Sequence, residues 1–123
     1  MVAVKLAFSK GRHMNTIFHI DDPRQWPTVR SNLQHMSDWL HHQKMSGQII
    51  LLINGEAVSQ AVKNATIDLQ AVIDQGVQVA VCHHSMTQRG ITHPELQPGL
   101  TVVPSGVVEL ALRQHAGFAY IKP

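Results

Sequence analysis

Apolar residues recur along the chain in short runs rich in valine and isoleucine, and such runs predict β-strands. The run at 49–53, Ile-Ile-Leu-Leu-Ile, has no polar interruption, which is typical of a parallel strand covered on both faces. Alternating valines at 77–81 predict another buried strand, which ends at Cys82. With three weaker runs, the pattern predicts five strands, at 14–20, 48–54, 77–82, 100–103 and 118–121.

Between these runs, apolar residues three and four positions apart predict helices. The clearest apolar stripe lies at 25–43 and consists of Trp26, Val29, Leu33, Met36 and Leu40. Pro27 fits only the first turn of a helix, which places the start near Trp26. Shorter patterns predict helices at 56–62, 66–75 and 107–116. Strands alternating with helices in this order predict one α/β domain, with helices on both faces of a five-stranded, mostly parallel sheet.

Charged residues make up only 15% of the 123 residues, against about 25% in an average soluble domain, while 44% are apolar. So few charges leave too little polar side chain to cover the exterior. Either serine, glutamine and histidine side chains supply the rest of the polar exterior, or the surface associates with further copies of the chain, and we expect the second. The net charge is +2 and the ten lysines and arginines are scattered, which argues against a nucleic-acid partner.

No apolar run approaches the ~20 residues that a membrane span needs, so we expect no membrane partner. In the first thirteen residues the basic Lys10 and Arg12 follow a short apolar stretch, which is the wrong order for a secretory signal. A single cysteine excludes an internal disulfide and suits a reducing compartment. We expect a cytoplasmic protein with one domain at 14–123, preceded at 1–13 by a loose tail or an upstream start.

Cys82 ends the third predicted strand, and ligands bind at this edge of α/β sheets. The connection that follows, 83–99, is long enough to suggest function, and its residues 85–89 fit one or two helical turns. A thiol of ordinary pKa is about 3% ionised at neutral pH, and a pKa of ~7 needs roughly 2 kcal/mol of added stabilisation. The candidates to stabilise the anion are Arg89, His83, His84 and the amides of a turn after Ser85.

Two further turns are expected at the same edge of the sheet. Asn54-Gly55 follows the second strand, and Ser105-Gly106 precedes the last helix, for which Ser105 is the expected N-cap. A helix N-terminus at this place either holds an anion or is simply capped. These four residues form the predicted binding crevice.

The nine histidines raise the question of a metal. Neighbours in an extended chain point to opposite faces, so Cys82 and His83 do not readily share an ion, whereas Cys82, His84 and His93 could. One thiol among scattered histidines lacks the spacing of a zinc site, and we predict neither a metal nor a cofactor. A cysteine hydrolase would need His83 or His84 as its base, but no local signature accompanies them.

Several segments together resemble the DsrE/DsrF-like (YchN-like) family. These segments are Phe18-His19-Ile20-Asp21-Asp22-Pro23 with Trp26-Pro27, Cys82 with Arg89-Gly90, Pro104-Ser105-Gly106-Val107-Val108-Glu109-Leu110, and Tyr120-Ile121-Lys122-Pro123. Their order and spacing agree with the family over 14–123, whereas His83-His84 stands where small or apolar residues are expected. The resemblance implies a three-layer α/β/α fold that assembles into trimers or hexamers.

In members of this family that work in sulfur relays, a cysteine at the end of a strand carries a persulfide and an Arg-Gly pair follows in the loop. Cys82 and Arg89-Gly90 match that arrangement. The resemblance implies a sulfurtransferase-type carrier that takes sulfane sulfur from a donor protein onto Cys82 and passes it to an acceptor thiol. Some members lack a working cysteine, so the alternative is a non-catalytic oligomeric binding or scaffold module with Cys82 as an inert, buried residue.

Overall fold

The computed structural model describes residues 13–123, and the tail predicted at 1–13 lies, except for its last residue, outside the described residues. Strands and helices alternate along the chain as the apolar pattern predicts. The strands are β1 (Thr16–Ile20), β2 (Ile49–Ile53), β3 (Val77–Cys82), β4 (Thr101–Val103) and β5 (Ala119–Ile121). The α-helices are α1 (Trp26–His42), α2 (Leu69–Asp74), α3 (His83–Gln88) and α4 (Gly106–His115).

The five strands form one sheet in the order β4-β3-β2-β1-β5, and all four neighbouring pairs are parallel. The sheet is thus parallel throughout, where the sequence predicted a mostly parallel one. Because every strand runs the same way, the carboxyl ends of all five lie at one edge. The residues that follow each strand are therefore brought together at that edge.

Helices cover both faces of the sheet, which confirms the three-layer α/β/α fold. On one face, α1, α2 and α3 pack against Phe18, Leu51 and Val79 and their neighbours. On the other face, α4 packs through Leu110 against the shorter row that contains Leu52. Among the described residues, one face therefore lies under three helices, and the other lies under a single helix of ten residues.

The long helix α1 follows its predicted course. It begins at Trp26, with Pro27 in the first turn, and its apolar stripe is buried except for Met36, which is partly buried. A short 3-10 turn at Pro23–Gln25 precedes it, and the Asp22 side chain accepts the Arg24 N–H there. The first turn of α1 tolerates Pro27, because an amide at that position would have no carbonyl partner within the helix.

Three helical segments differ from the prediction by more than one residue. The helix predicted at 66–75 begins only at Leu69, because the Asp68 carboxylate caps it by accepting from the Gln70 and Ala71 amides. The segment predicted as a helix at 56–62 is a 3-10 helix at Gly55–Gln60. The turns predicted at 85–89 begin earlier, since α3 follows Cys82 without a break. Within the described part of the chain, no helix combines the length and the apolar character needed to cross a membrane.

Candidate functional site

Cys82 lies at the carboxyl edge of the sheet, at the junction between β3 and α3. The register of β2 with β3 pairs Ile53 with Val81, which brings Asn54 level with Cys82 on the neighbouring strand. On the other side, Cys82 pairs with Val103 of β4, three residues before α4 begins. Only 4% of the Cys82 surface is exposed. The parallel topology therefore encloses the sulfur between the ends of three strands and two helix starts.

Hydrogen-bond donors surround this sulfur atom. Cys82 is the N-cap residue of α3, and its Sγ accepts the Ser85 amide at 3.4 Å. The amide of Gly106, the first residue of α4, reaches the same Sγ from 24 residues further along the chain, at 3.2 Å. The His84 amide and the Ser85 hydroxyl also lie near enough to the sulfur to lower the pKa of the thiol. We call these four groups, the three amides and the hydroxyl, the sulfur cradle.

The sulfur cradle changes the acidity of the thiol. Burial by itself raises the pKa of Cys82, because the thiolate loses its hydration. The hydrogen bonds from Ser85, Gly106 and His84 act in the opposite direction and outweigh burial, so the net pKa is lowered from its ordinary value. An anion that accepts several amide protons is stabilised in the same way at other helix starts. The arrangement favours a thiolate, or another anionic sulfur species, at this position.

Ser85 connects the sulfur cradle to the second strand. Its side chain is buried, and its Oγ accepts the Gly55 amide at 2.9 Å. With that acceptor role filled by Gly55, the hydroxyl proton remains for the sulfur. Gly55 has a positive φ of 57°, which turns the chain after Asn54 so that its amide faces Ser85. Of the residues predicted to stabilise an anion, Ser85 is the one whose side chain lowers the pKa of the thiol.

Gly106 is glycine because α4 packs closely on the end of β2. A Cβ at this position would lie 3.1 Å from both Leu52 Cδ1 and Asn54 Cβ, closer than ordinary van der Waals contact. The missing side chain therefore lets the helix approach until the Gly106 amide reaches Cys82. Ser105 occupies the predicted N-cap position, but its side chain makes no capping hydrogen bond, so that part of the expectation was wrong. The four residues of the predicted crevice, Asn54, Gly55, Ser105 and Gly106, lie together at the carboxyl edge of the sheet.

Arg89 lies at the far end of α3 from Cys82. Its guanidinium donates to the Ser85 carbonyl at 3.2 Å and to the Glu56 carboxylate at 2.8 Å. With Glu56 and Gly55 it lines a polar cleft of about 520 Å³ that also contains Asp21, Asp22 and Arg24. Arg89 therefore holds the backbone of the residue that donates to the sulfur, and its charge is paired with a carboxylate.

The two histidines after Cys82 are exposed. His83 lies near the Thr87 hydroxyl, at 3.4 Å, and its ring centre is 5.8 Å from that of His93. His84 reaches the sulfur through its backbone amide. Between residues 13 and 123, no three histidine, cysteine, aspartate or glutamate side chains form a group that could hold a metal ion.

A second polar group, which was not predicted from the sequence, lies on the same face of the sheet as Cys82. His19, the fourth residue of β1, is buried and bonds to Asn54 Oδ1 and to the Tyr120 hydroxyl, both at 2.7 Å. The partners are 35 and 101 residues away in sequence. The available signal was a polar residue on the inward face of a buried strand, which requires a partner.

Comparisons with known proteins agree on the fold. The model of the DsrE/DsrF-like family matches residues 3–123. A protein of unknown function from Methanobacterium thermoautotrophicum is 26% identical over 89% of this chain and 99% of its own, with a TM-score of 0.78. YchN from E. coli is 16% identical over 90% of this chain and 99% of its own, with a TM-score of 0.65.

A conserved protein of unknown function from Bacteroides thetaiotaomicron has a TM-score of 0.60 and is 14% identical, over 96% of this chain and 100% of its own. No curated protein matches the sequence. These structures share the three-layer arrangement with this chain over nearly its whole length.

Proposed function

This chain belongs to the DsrE/DsrF-like family, a family associated with sulfur relay in general, and from that premise we propose that it carries a persulfide on Cys82. The observation that carries the proposal is the convergence of two amide donors, from Ser85 and Gly106, on one buried sulfur, with the Ser85 hydroxyl and the His84 amide beside them. A neutral thiol is a weak acceptor, whereas a thiolate or a persulfide anion accepts strongly from such donors. In the proposed reaction, both the empty and the loaded carrier are anionic.

The chemistry consists of two displacements at sulfur. The Cys82 thiolate attacks the outer sulfur of a donor protein's persulfide, a new S–S bond forms, and the donor leaves as a thiolate with the electron pair of the broken bond. An acceptor thiolate then attacks the outer sulfur held on Cys82, and Cys82 leaves as the thiolate. No oxidant or reductant is consumed. A lowered thiol pKa helps the second step in particular, because a more acidic thiol is a better leaving group.

Arg89, His83 and His84 have supporting roles in this proposal. Arg89 holds the Ser85 carbonyl and so keeps α3 in place beneath the sulfur. The exposed histidines stand beside Cys82 in the chain and, when protonated, attract an anionic persulfide from a donor protein. A carrier thiol also needs a reducing compartment, and we assign the reaction to the cytoplasm.

Incubation with a polysulfide donor tests the function directly. Cys82 is the chain's single cysteine, so the intact mass of the protein reports on this residue alone. We expect the wild-type mass to increase by one sulfur atom, and the increase to disappear when a thiol reductant is added. The Cys82→Ser variant is the control and should gain nothing. Wild-type protein that remains unmodified, or a serine variant labelled to the same extent, would refute the assignment.

The burial of Cys82 favours a second candidate, a binding or scaffold module in which the cysteine is inert. Alkylation of the folded protein separates the two functions. A carrier thiol reacts with iodoacetamide at mildly acidic pH, because its pKa is lowered and partners must reach it. An inert thiol reacts only after denaturation.

We further propose that the chain associates with copies of itself, as a trimer or a hexamer. The outer face of α4 carries Val107, Val108 and Leu112, which are 70%, 55% and 59% exposed. Apolar side chains grouped in this way on a single helix are typical of a contact surface. A second copy of the chain is the simplest occupant, since the chain is poor in charge throughout.

Leu112→Glu is expected to dissociate this assembly, because a charge would be buried in the apolar contact. Light scattering should give a multiple of the 13.6 kDa chain mass for the wild type and the single-chain mass for the variant. Thr28→Glu, which adds the same charge to an exposed position on α1, should leave the wild-type mass unchanged. An unchanged mass for Leu112→Glu would exclude this face as the contact.

A further inference from the structure

A row of polar side chains crosses the face of the sheet that α4 covers. Cys82, Asn54, His19 and Tyr120 stand on or directly after the adjacent strands β3, β2, β1 and β5. Their neighbours on this face are apolar and include Leu52. His19 pairs with Leu52 in the register, so the row runs diagonally from Cys82 at the carboxyl edge to Tyr120 in the edge strand. A buried polar side chain among apolar neighbours, such as that of His19, costs free energy unless it is hydrogen-bonded.

Hydrogen bonds fix the middle of this row. His19 Nε2 lies 2.7 Å from Asn54 Oδ1, and an amide oxygen only accepts, so Nε2 carries the proton. His19 Nδ1 lies 2.7 Å from the Tyr120 hydroxyl, which is the second hydrogen-bond partner of the ring. Burial raises the pKa of Tyr120 and keeps that hydroxyl protonated. With both ring nitrogens bonded, the imidazole has one orientation, and the oxygen of Asn54 is held to it.

Asn54 passes this constraint on to α4. A Cβ on Gly106 would lie 3.1 Å from Asn54 Cβ and 3.2 Å from Asn54 Nδ2, so the amide side chain lies directly against the backbone of Gly106. The N–H of the same Gly106 donates to Cys82 Sγ. Movement of the Asn54 side chain would therefore change the space available to the start of α4, and with it the distance from the Gly106 amide to the sulfur.

We propose that His19 is a positioning residue for the sulfur chemistry, holding Asn54 so that the first residue of α4 keeps its amide on Cys82. The proposal rests on the function proposed above, since it assigns His19 a part in stabilising the anionic carrier. His19 has no bond to the sulfur and acts through Asn54 and Gly106.

The pH dependence of Cys82 alkylation tests the proposal. His19→Phe keeps a ring of similar size but removes the donor to Asn54. We expect the apparent pKa of Cys82 to rise by about one unit. At a pH below the Cys82 pKa of both the wild type and the variant, alkylation should slow about tenfold. His19→Gln, whose side-chain amide can still donate to Asn54, should restore most of the wild-type profile. Tyr120→Phe should have a smaller effect, because the bond to Asn54 remains.

Ile17→Val is the matched control, because Ile17 lies on the same strand and the same face and is fully buried. It should reduce stability and leave the alkylation profile unchanged. If His19→Phe reduces stability in the same way without moving the profile, His19 is merely structural and the proposal fails. If His19→Phe does not fold, Asn54→Ala at a half-buried position replaces it and should raise the Cys82 pKa to a similar extent.

The alkylation profile and the sulfur-loading experiment fail independently. A wild-type protein that takes up no sulfur refutes the proposed function. In that case, a shift of the Cys82 alkylation profile in His19→Phe would still show that His19 positions the Gly106 amide. A wild-type protein that loads sulfur, together with an unshifted profile for His19→Phe and Asn54→Ala, refutes the role of His19 alone.

Discussion

Ser85→Ala is expected to raise the pKa of Cys82 by about one to two units, because the sulfur loses the hydroxyl of its cradle. A hydrogen bond to a charged group contributes roughly 1.5–3 kcal/mol, and one pKa unit corresponds to about 1.4 kcal/mol. The rate of alkylation at mildly acidic pH follows the thiolate fraction and should fall at least about tenfold. The pH profile of iodoacetamide labelling measures the shift, which should be towards higher pH.

The same substitution should also reduce stability, because the Gly55 amide loses its acceptor in a buried place. A buried unsatisfied amide costs about 1–3 kcal/mol. Ser59→Ala is the matched control, since the Ser59 hydroxyl donates to the Glu56 carbonyl at an exposed position and is remote from the sulfur. Ser85→Thr keeps the hydroxyl and should restore part of the reactivity. A destabilised Ser85→Ala variant with the wild-type pH profile would remove Ser85 from the site.

Gly106→Ala is expected to destabilise the protein, although glycine-to-alanine changes in helices usually stabilise by about 0.5–1 kcal/mol. The added Cβ would lie 3.1 Å from Leu52 and Asn54, so the start of α4 must move outward. Forcing a methyl group into a packed site costs about 1–3 kcal/mol. The Gly106 amide moves with the helix, which weakens its bond to the sulfur and raises the Cys82 pKa. Urea denaturation and the alkylation profile measure the two effects together.

Ser105→Ala, one residue earlier, is the control for this experiment. A capping serine typically contributes ~1 kcal/mol, but the Ser105 side chain makes no capping bond, so its loss should cost less than about 0.5 kcal/mol. If Gly106→Ala is as stable and as reactive as the wild type, α4 does not need the close approach that the structure shows.

The fold could be predicted from the sequence because its signals are local. The uninterrupted run of β2 indicated a strand buried on both faces, and the spacing of α1 indicated its apolar stripe. The predicted bounds were wrong where a hydrogen bond to one side chain determines the first residue of a helix. The Asp68 cap shortened α2, and the Cys82 cap extended α3 backwards. The apolar period shows that a helix exists, but a single hydrogen bond decides where it begins.

The position of the sulfur and of the turn that contains Ser85 could be predicted, because Cys82 at the end of a buried strand and the turn after it are local patterns. The Gly106 amide arrives from 24 residues away. The sequence placed Ser105-Gly106 at the same edge of the sheet, but its contact with the sulfur could not be predicted. Arg89 was expected to stabilise the sulfur anion, yet its guanidinium pairs with Glu56, a competing carboxylate 33 residues away. His19 was overlooked because its partners lie on other strands.

The sheet order has a consequence for the newly made chain. The donors from α3 are within three residues of Cys82 and can form as soon as that helix does, whereas the Gly106 amide arrives only after β4 has docked beside β3. The last strand, β5, pairs with the first, β1, so the sheet is complete only when the two ends of the domain have met. Contacts so distant in sequence slow folding. The thiol therefore acquires its full acidity late in folding, when α4 has packed on the sheet.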